Sequence, residues 1–211
     1  MATDATDRLP LTRERIVAAA LASIDVHGVD QLSMRKLGQV LKVDPMAVYH
    51  HIPNKAALFD AIVEYIWAGV ELPARGPGER WQGVLHAAFS ALRDRLRQHP
   101  RAVVLVGTRP SVTPASLRLI DATLGRLSAA GLPGKDAMQL IDCLSGYTIG
   151  KVLAETGEAL GGASDVVGRA LAGVTPQSHP HFAAVLPGYG FAPDEEFDAG
   201  LRALIAGWQL R

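Results

Sequence analysis

The densest chemistry in the sequence lies between Ser33 and Lys55. Arg35, Lys36, Lys42 and Lys55 stand there against a single carboxylate, Asp44, and Ser33, Tyr49, His50 and His51 add hydroxyl and imidazole groups. A short cationic segment with polar tips suits a polyanion: ammonium and guanidinium groups meet phosphates, and an arginine can also donate a bidentate pair to a guanine edge. The whole chain balances 21 Lys+Arg against 21 Asp+Glu. Any nucleic-acid surface must therefore be this local patch rather than a general excess of charge.

Other reactive groups form no catalytic set. His50-His51 and His179-Pro-His181 are pairs without a third ligand at a metal-site spacing, so no metal or other cofactor is expected. Gly134-Lys135 brushes the phosphate-loop pattern, but Ala129 stands at its first glycine and Asp136 where a Ser or Thr should follow. No nucleophile-elbow or dinucleotide glycine pattern occurs in a strand–turn–helix setting. Cys143 is the one cysteine; it falls in the most apolar predicted helix, which suits packing better than nucleophilic chemistry, and it excludes an intrachain disulfide. The expectation is a protein that is not an enzyme. The alternative is an all-helical small-molecule-binding protein or enzyme without a DNA function.

Hydrophobic residues make up 48% of the chain and charged residues 20%, enough to bury a substantial core. The start, Met1 to Pro10, is polar and reads as a flexible tail without the apolar core of a signal peptide. No run approaches the roughly 18 apolar residues of a membrane span. These features, with one cysteine, predict a soluble cytoplasmic protein that does not engage membranes.

The elements that must position the cationic segment are helices. Arg13 to His27 has helical apolar spacing, with Thr12 as N-cap and Gly28 ending it from a left-handed position. Ser33 caps a second helix whose apolar positions are Leu37, Val40 and Leu41. Lys42-Val43-Asp44 makes a tight connection, Asp44 caps a third helix, Pro45 takes its first position, and Ile52-Pro53 ends it. Val43 and Val48 point inward. Two short helices joined by about three residues form either an ordinary helical hairpin or a DNA-reading unit; the local charge and the small, polar tip of the third helix favour DNA. A fourth helix, Asn54 to Glu71, carries Leu58, Ile62, Tyr65 and Ile66 on one face and is shared by both halves of the chain.

Beyond the breaker cluster Pro73–Gly78, Trp81, Val84, Leu85, Ala88, Phe89, Leu92 and Leu96 step by three and four. A short helix over Ala102–Val106 follows, then one over Pro114–Ala130 with Leu117, Ile120, Leu124 and Leu127 inward. Lys135–Glu155 is apolar nearly all round and should be buried on most sides. Gly157–Pro193 should hold short helical pieces, and Asp194–Gln209 the last helix, opening on three acidic residues at its positive end. The fold class is all-α: a flexible tail over 1–10, an N-terminal three-helix helix-turn-helix domain over 11–60, and a larger C-terminal helical domain over 61–211, to which the resemblance described next adds effector binding and dimerisation.

The run from Leu32 to Leu58, with Tyr49, His51, Asn54, Lys55 and Leu58 at its most specific positions, closely resembles the DNA-binding domain of tetracycline-repressor-family regulators. The preceding helix, ending in Gly28, resembles that family's first helix. Asp194–Gly207 looks like the closing helix of the subgroup near the tetracycline repressor itself. Met34, His50 and Pro53 depart from the pattern and bear on which operator is read. The resemblance implies a bacterial, ligand-responsive transcription regulator, commonly a repressor released from its operator by a small molecule.

It also implies a division of labour. Pro45, Met46, Ala47 and His50 would face base edges, with Arg35 donating to guanine. Ser33, Tyr49, His51 and Lys55 would hold phosphates of double-stranded operator DNA. A homodimer would supply two half-sites. Its surface is expected from Leu140, Gly146 and Gly150, and from Phe197, Gly200, Leu201, Leu204 and Trp208, where small residues allow close helix approach. An effector pocket is expected from Gln82, His86, Phe89, Arg93, Leu124, Cys143 and Tyr147, an apolar wall with a few polar groups.

Overall fold

The computed structural model describes residues 10–74, 76, 78–110, 112–157 and 166–210. Apart from Pro10, the expected flexible tail lies outside them. Among the described residues the regular elements are eleven α-helices and two 3-10 turns.

Helix α1 (Arg13–His27) starts where Thr12 Oγ1 accepts from the Arg15 N–H at 3.2 Å. It stops at Gly28, whose φ of 80° and ψ of 164° lie in a positive-φ region that glycine alone enters freely; this is not the left-handed helical position expected. In α2 (Met34–Leu41) Ser33 Oγ accepts from the Lys36 N–H, and in α3 (Pro45–His51) Asp44 Oδ1 accepts from the Met46 N–H at 2.7 Å. Asn54 Oδ1 does the same for α4 (Lys55–Ala68), 2.8 Å from the Ala57 nitrogen. Each cap satisfies a backbone donor that the helix itself leaves open.

The α2–α3 turn closes on Lys42, at φ 56° and ψ 41°, a left-handed residue that is not glycine. Val48 and Ile52 are fully buried beneath it, whereas Val43 is half-buried. Val40, expected inward, is exposed; Met34, Leu37 and Gly38 form the buried face instead. Gly38 explains the change. A Cβ there would sit 3.2 Å from both the Pro45 Cα and the Val43 carbonyl oxygen, so α3 and its turn press directly on this bare position. Ala in place of Gly gains about 1 kcal/mol of helix propensity. Forcing a methyl against unyielding backbone costs about 1–3 kcal/mol, and the strain should win. Gly38→Ala is expected to lower stability by about 1 kcal/mol in urea denaturation; a raised midpoint would show that the turn yields.

The C-terminal body comprises α5 (Trp81–Arg97), a 3-10 turn (Pro100–Ala102), α6 (Val103–Thr108), α7 (Pro114–Ala129), α8 (Gly134–Thr156), α9 (Val166–Ala172), α10 (Pro180–Val185), a second 3-10 turn (Leu186–Gly188) and α11 (Pro193–Ala206). α5 lies against α7, α8 and α11, with Leu85, Leu96, Leu140 and Leu144 fully buried between the helices. α4 packs on α1 at one side and on α7 at the other. The 3-10 turn packs on the end of α1: His99 Nδ1 lies 2.8 Å from Asp25 Oδ2, and Arg101 donates to the Asp25 and Val26 carbonyls.

Three further inward assignments fail. Tyr65 is exposed, with Arg95 5.2 Å above its ring. Leu117 is exposed on α7. On α8 the buried set is Asp136, Ala137, Leu140, Ile141, Leu144, Thr148 and Val152, so one long face, carrying Cys143, Gly146, Gly150 and Leu153, stays open.

Candidate nucleic-acid interface and effector cavity

The cap geometry turns α3 outward. Val48 anchors it, and the opposite edge presents Met46, Tyr49, His50 and His51 to solvent, with Pro45 and Ala47 half-buried beside them. Arg35, in the first turn of α2, is exposed. Ser33 is half-buried and its oxygen is already engaged in capping α2. Lys55 opens α4 with its Nζ 5.2 Å from the centre of the Phe59 ring, its stem packed and its charge at the helix N-terminus. The arrangement is a narrow ridge with a cationic margin, the shape that enters a major groove.

The apolar cavity lies elsewhere than expected. About 240 Å³ is enclosed by Trp67 of α4, Ala88, Phe89 and Leu92 of α5, Ser116, Leu119, Ile120 and Thr123 of α7, and Met138, Ile141, Asp142, Ser145 and Ile149 of α8, with Leu72 and Val112. Of the seven residues expected there, Phe89 alone lines it. His86 and Arg93 stand on the other side of α5 and face α11: His86 Nε2 lies 2.6 Å from Asp198, and Arg93 donates to Asp194 at 2.8 Å, Glu155 at 3.0 Å and the Pro193 carbonyl at 3.1 Å. Tyr147 stacks on Phe197 at 5.5 Å and donates to the Phe197 carbonyl at 3.0 Å; burial raises its phenol. Cys143 is exposed, Leu124 packs against the core, and Gln82 is half-buried in the first turn of α5. The missed lining residues did carry a signal. Ser116, Thr123 and Ser145 are small hydroxyl residues interrupting otherwise apolar helix faces.

The expected interface residues divide in the same way. Leu140, Phe197 and Leu201 are buried within this chain. Gly200 lies directly under the Tyr147 hydroxyl, and Trp208 Nε1 donates to Asp136 at 3.0 Å. Gly146 and Gly150 have open space where a side chain would project, and Leu204 is 36% exposed.

Ion pairs tie α11 to α5 and α8 beside its buried Phe197, Leu201 and Ile205. Asp194 meets Arg93 and Arg97, Glu196 meets Lys151 and the Tyr189 hydroxyl, and Asp198 meets His86 and Arg202. These hydrogen bonds hold all three carboxyls below their ordinary values: Arg93 first for Asp194, Lys151 for Glu196 and His86 for Asp198. A depressed folded value means the unfolded chain binds more protons. The contribution is therefore fully present above the unfolded carboxylate range, about 4, and is lost as pH falls through the folded values. Amide-exchange protection along α11, taken against the intrinsic rate at each pH, should thus fall relative to α5 between about pH 5 and about pH 3. An equal loss of protection in both helices would show that these pairs do not help to hold α11.

A turn-linked helix pair with an exposed ridge, carried on a helical body that encloses an apolar cavity, defines a helical DNA-binding regulator with a ligand-binding body. The chain belongs to the TetR family of bacterial transcriptional regulators: residues 16–62 match the family model for bacterial regulatory proteins of the tetR family, and residues 72–211 match the tetracyclin repressor-like C-terminal domain. It is 32% identical over 200 residues to an HTH-type transcriptional regulator of Saccharopolyspora erythraea, covering 93% of this chain and 84% of that one. It is 35% identical over 147 residues to the class D tetracycline repressor protein of Escherichia coli, covering 68% and 66%. Among solved structures, ActR of Streptomyces coelicolor in complex with actinorhodin superposes with a TM-score of 0.79 at 28% identity, covering 94% of this chain and 95% of that one. This is a family of regulators, not of enzymes. Among the described residues no helix is long and apolar enough to cross a membrane, and no group of three or more His, Cys, Asp or Glu is set to hold a metal ion.

Proposed function

We propose that this chain is a homodimeric repressor that is released from its operator when a small molecule fills the cavity between α4, α5, α7 and α8. The observation that carries the reading is that α4 serves both ends. Its first turn holds Lys55 beside the α3 ridge, and its last turn puts Trp67 into the cavity wall. Two further ties support it. The Glu64 carboxylate accepts from the Ala115 N–H at 3.0 and 3.1 Å, which caps α7 from α4, and Asp60 pairs with Arg109 at 2.6 Å. A ligand that shifts α7 or α8 therefore pulls on α4, and a tilted α4 changes the spacing of two α3 ridges in a dimer.

In this reading Arg35, Pro45, Met46, Ala47 and His50 read bases, while Tyr49, His51 and Lys55 hold phosphates. Ser33 contributes by capping α2. The dimer forms over the open faces of α8 and α11, around Gly146, Gly150 and Leu204. Relatives support the ligand-responsive part: ActR is solved with actinorhodin, and a single-residue variant of TetR from Acinetobacter baumannii is solved with minocycline.

The test is reciprocity. Actinorhodin and minocycline serve as first probes, in calorimetry with and without an operator duplex obtained by selection. A coupled effector loses affinity on the operator complex by the factor it costs DNA binding, corresponding to about 1–3 kcal/mol. A ligand that fills the cavity with identical affinity in both states would overturn the proposal.

A further inference from the structure

We propose that the cavity selects a cationic ligand, an apolar ring skeleton carrying an ammonium group that pairs with Asp142 at the cavity mouth. The inference rests on reading the cavity as the effector site. On α8 the lining residues Met138, Asp142, Ser145 and Ile149 follow one another by four, three and four positions. That spacing sets their side chains in one stripe, each leaning back over the turn before it. Asp142 therefore stands between lining side chains, yet it is exposed, so it marks where the apolar wall meets solvent. Among the described residues its carboxylate has neither an ion pair nor a hydrogen bond.

The other polar atoms of the wall call for the same ligand chemistry. Thr123 Oγ1 donates to the Leu119 carbonyl at 2.7 Å and Ser145 Oγ to the Ile141 carbonyl at 2.6 Å, so each keeps lone pairs but no proton. Ser116 Oγ donates to the Thr113 carbonyl at 3.0 Å and accepts from the Thr113 N–H at 2.8 Å. The Trp67 Nε1 is fully buried and out of a ligand's reach. Among the described residues no Lys, Arg or His lines the cavity. A ligand anion would find no cation and no free side-chain donor there, and would face a carboxylate at the mouth. An ammonium finds the Asp142 carboxylate and, one turn along the stripe, the Ser145 lone pairs.

An exposed ion pair by itself contributes little. Here the ring skeleton is held by burial against Phe89, Leu92, Leu119 and Ile120, and that burial places the ammonium beside the carboxylate. Asp142 thus decides which head group is accepted, and the apolar wall decides how tightly the skeleton binds.

Three probes share the naphthalene ring and differ in head group: 1-naphthylmethylamine, charged at neutral pH, its uncharged counterpart 1-ethylnaphthalene, and 1-naphthylacetate. Binding to the full chain is measured by equilibrium dialysis. The amine is expected to bind about tenfold more tightly than ethylnaphthalene, the effect of one charge-assisted hydrogen bond, and the acetate more weakly than either. The amine's advantage should shrink as salt is raised, because the carboxylate is exposed. Asp142→Asn keeps the shape and removes the charge; it should bring the amine down to the level of ethylnaphthalene and leave ethylnaphthalene unchanged. Competition locates the site, since the amine should displace ethylnaphthalene one for one. An amine-to-ethylnaphthalene ratio that Asp142→Asn leaves unchanged, an acetate that binds as well as the amine, or an amine that binds without displacing ethylnaphthalene overturns the inference while the cavity reading stands. If none of the three binds, the inference falls, and the cavity reading falls with it only if actinorhodin and minocycline fail as well.

Discussion

Arg93→Ala is expected to lower the stability of the folded chain by about 3 kcal/mol, toward the lower end of what breaking a buried ion pair costs. The side chains of Arg93 and Glu155 are only 7% and 5% exposed, and the guanidinium also lies 4.6 Å over the Phe197 ring. Removing the arginine leaves the Glu155 carboxylate buried without its main partner. Lys151, 4.0 Å away, offsets part of that loss. The same change leaves Asp194, at the start of α11, with Arg97 as its remaining partner, so the loss should be concentrated where α5, α8 and α11 meet. The paired replacement Arg93→Met with Glu155→Leu tests the mechanism, because exchanging a whole buried pair for apolar groups is often neutral or stabilising. Urea denaturation of both variants decides the matter. A loss below about 1 kcal/mol for Arg93→Ala would mean that water reaches the pair and screens it.

Arg35→Ala is expected to weaken operator binding by about 10- to 100-fold and to relax selectivity at one base position, as loss of a bidentate guanine contact worth about 1–3 kcal/mol would do. Lys55→Ala is the contrast. It should weaken all sequences alike and reduce the salt slope by about one phosphate's worth, near 0.9 in log–log terms. Fluorescence anisotropy against the selected operator and single-base variants separates the two patterns. If Arg35→Ala weakens every duplex equally, its guanidinium holds phosphate, and the reading edge is confined to α3.

The local parts of this architecture were legible because they depend on neighbours a few residues apart. Thr12, Ser33, Asp44 and Asn54 mark helix starts by hydroxyl, carboxylate or amide chemistry, and each accepts the backbone N–H it should. The exposed edge of α3 follows from the same short range, since a seven-residue helix anchored by Val48 has one way to turn. The Lys42 left-handed turn was not legible, because nothing but tertiary closure of α2 on α3 forces a lysine there.

The cavity was misplaced for a related reason. A stripe on α5 can be read from spacing, but which neighbour it faces cannot. The side carrying His86 and Arg93 turned to the carboxylates of α11, whose pairing with them spans about a hundred positions of sequence. The opposite side, with Phe89 and Leu92, closed the cavity against α7 and α8. Tyr147 went with the first side because its hydroxyl finds backbone carbonyls of α11. The glycine pairs fared unevenly. Gly200 is consumed by Tyr147, whereas Gly146 and Gly150 remain open toward whatever packs on α8.

The most direct test of the central claim is selection of duplexes from a random pool by the full chain, followed by salt titration of the winner. The account predicts an enriched inverted repeat with half-sites about one helical turn or a multiple apart, bound with an affinity that falls linearly in log–log salt at about −0.9 per phosphate neutralised. A pool that remains random at low salt, or binding to the winner that ignores salt, would contradict it.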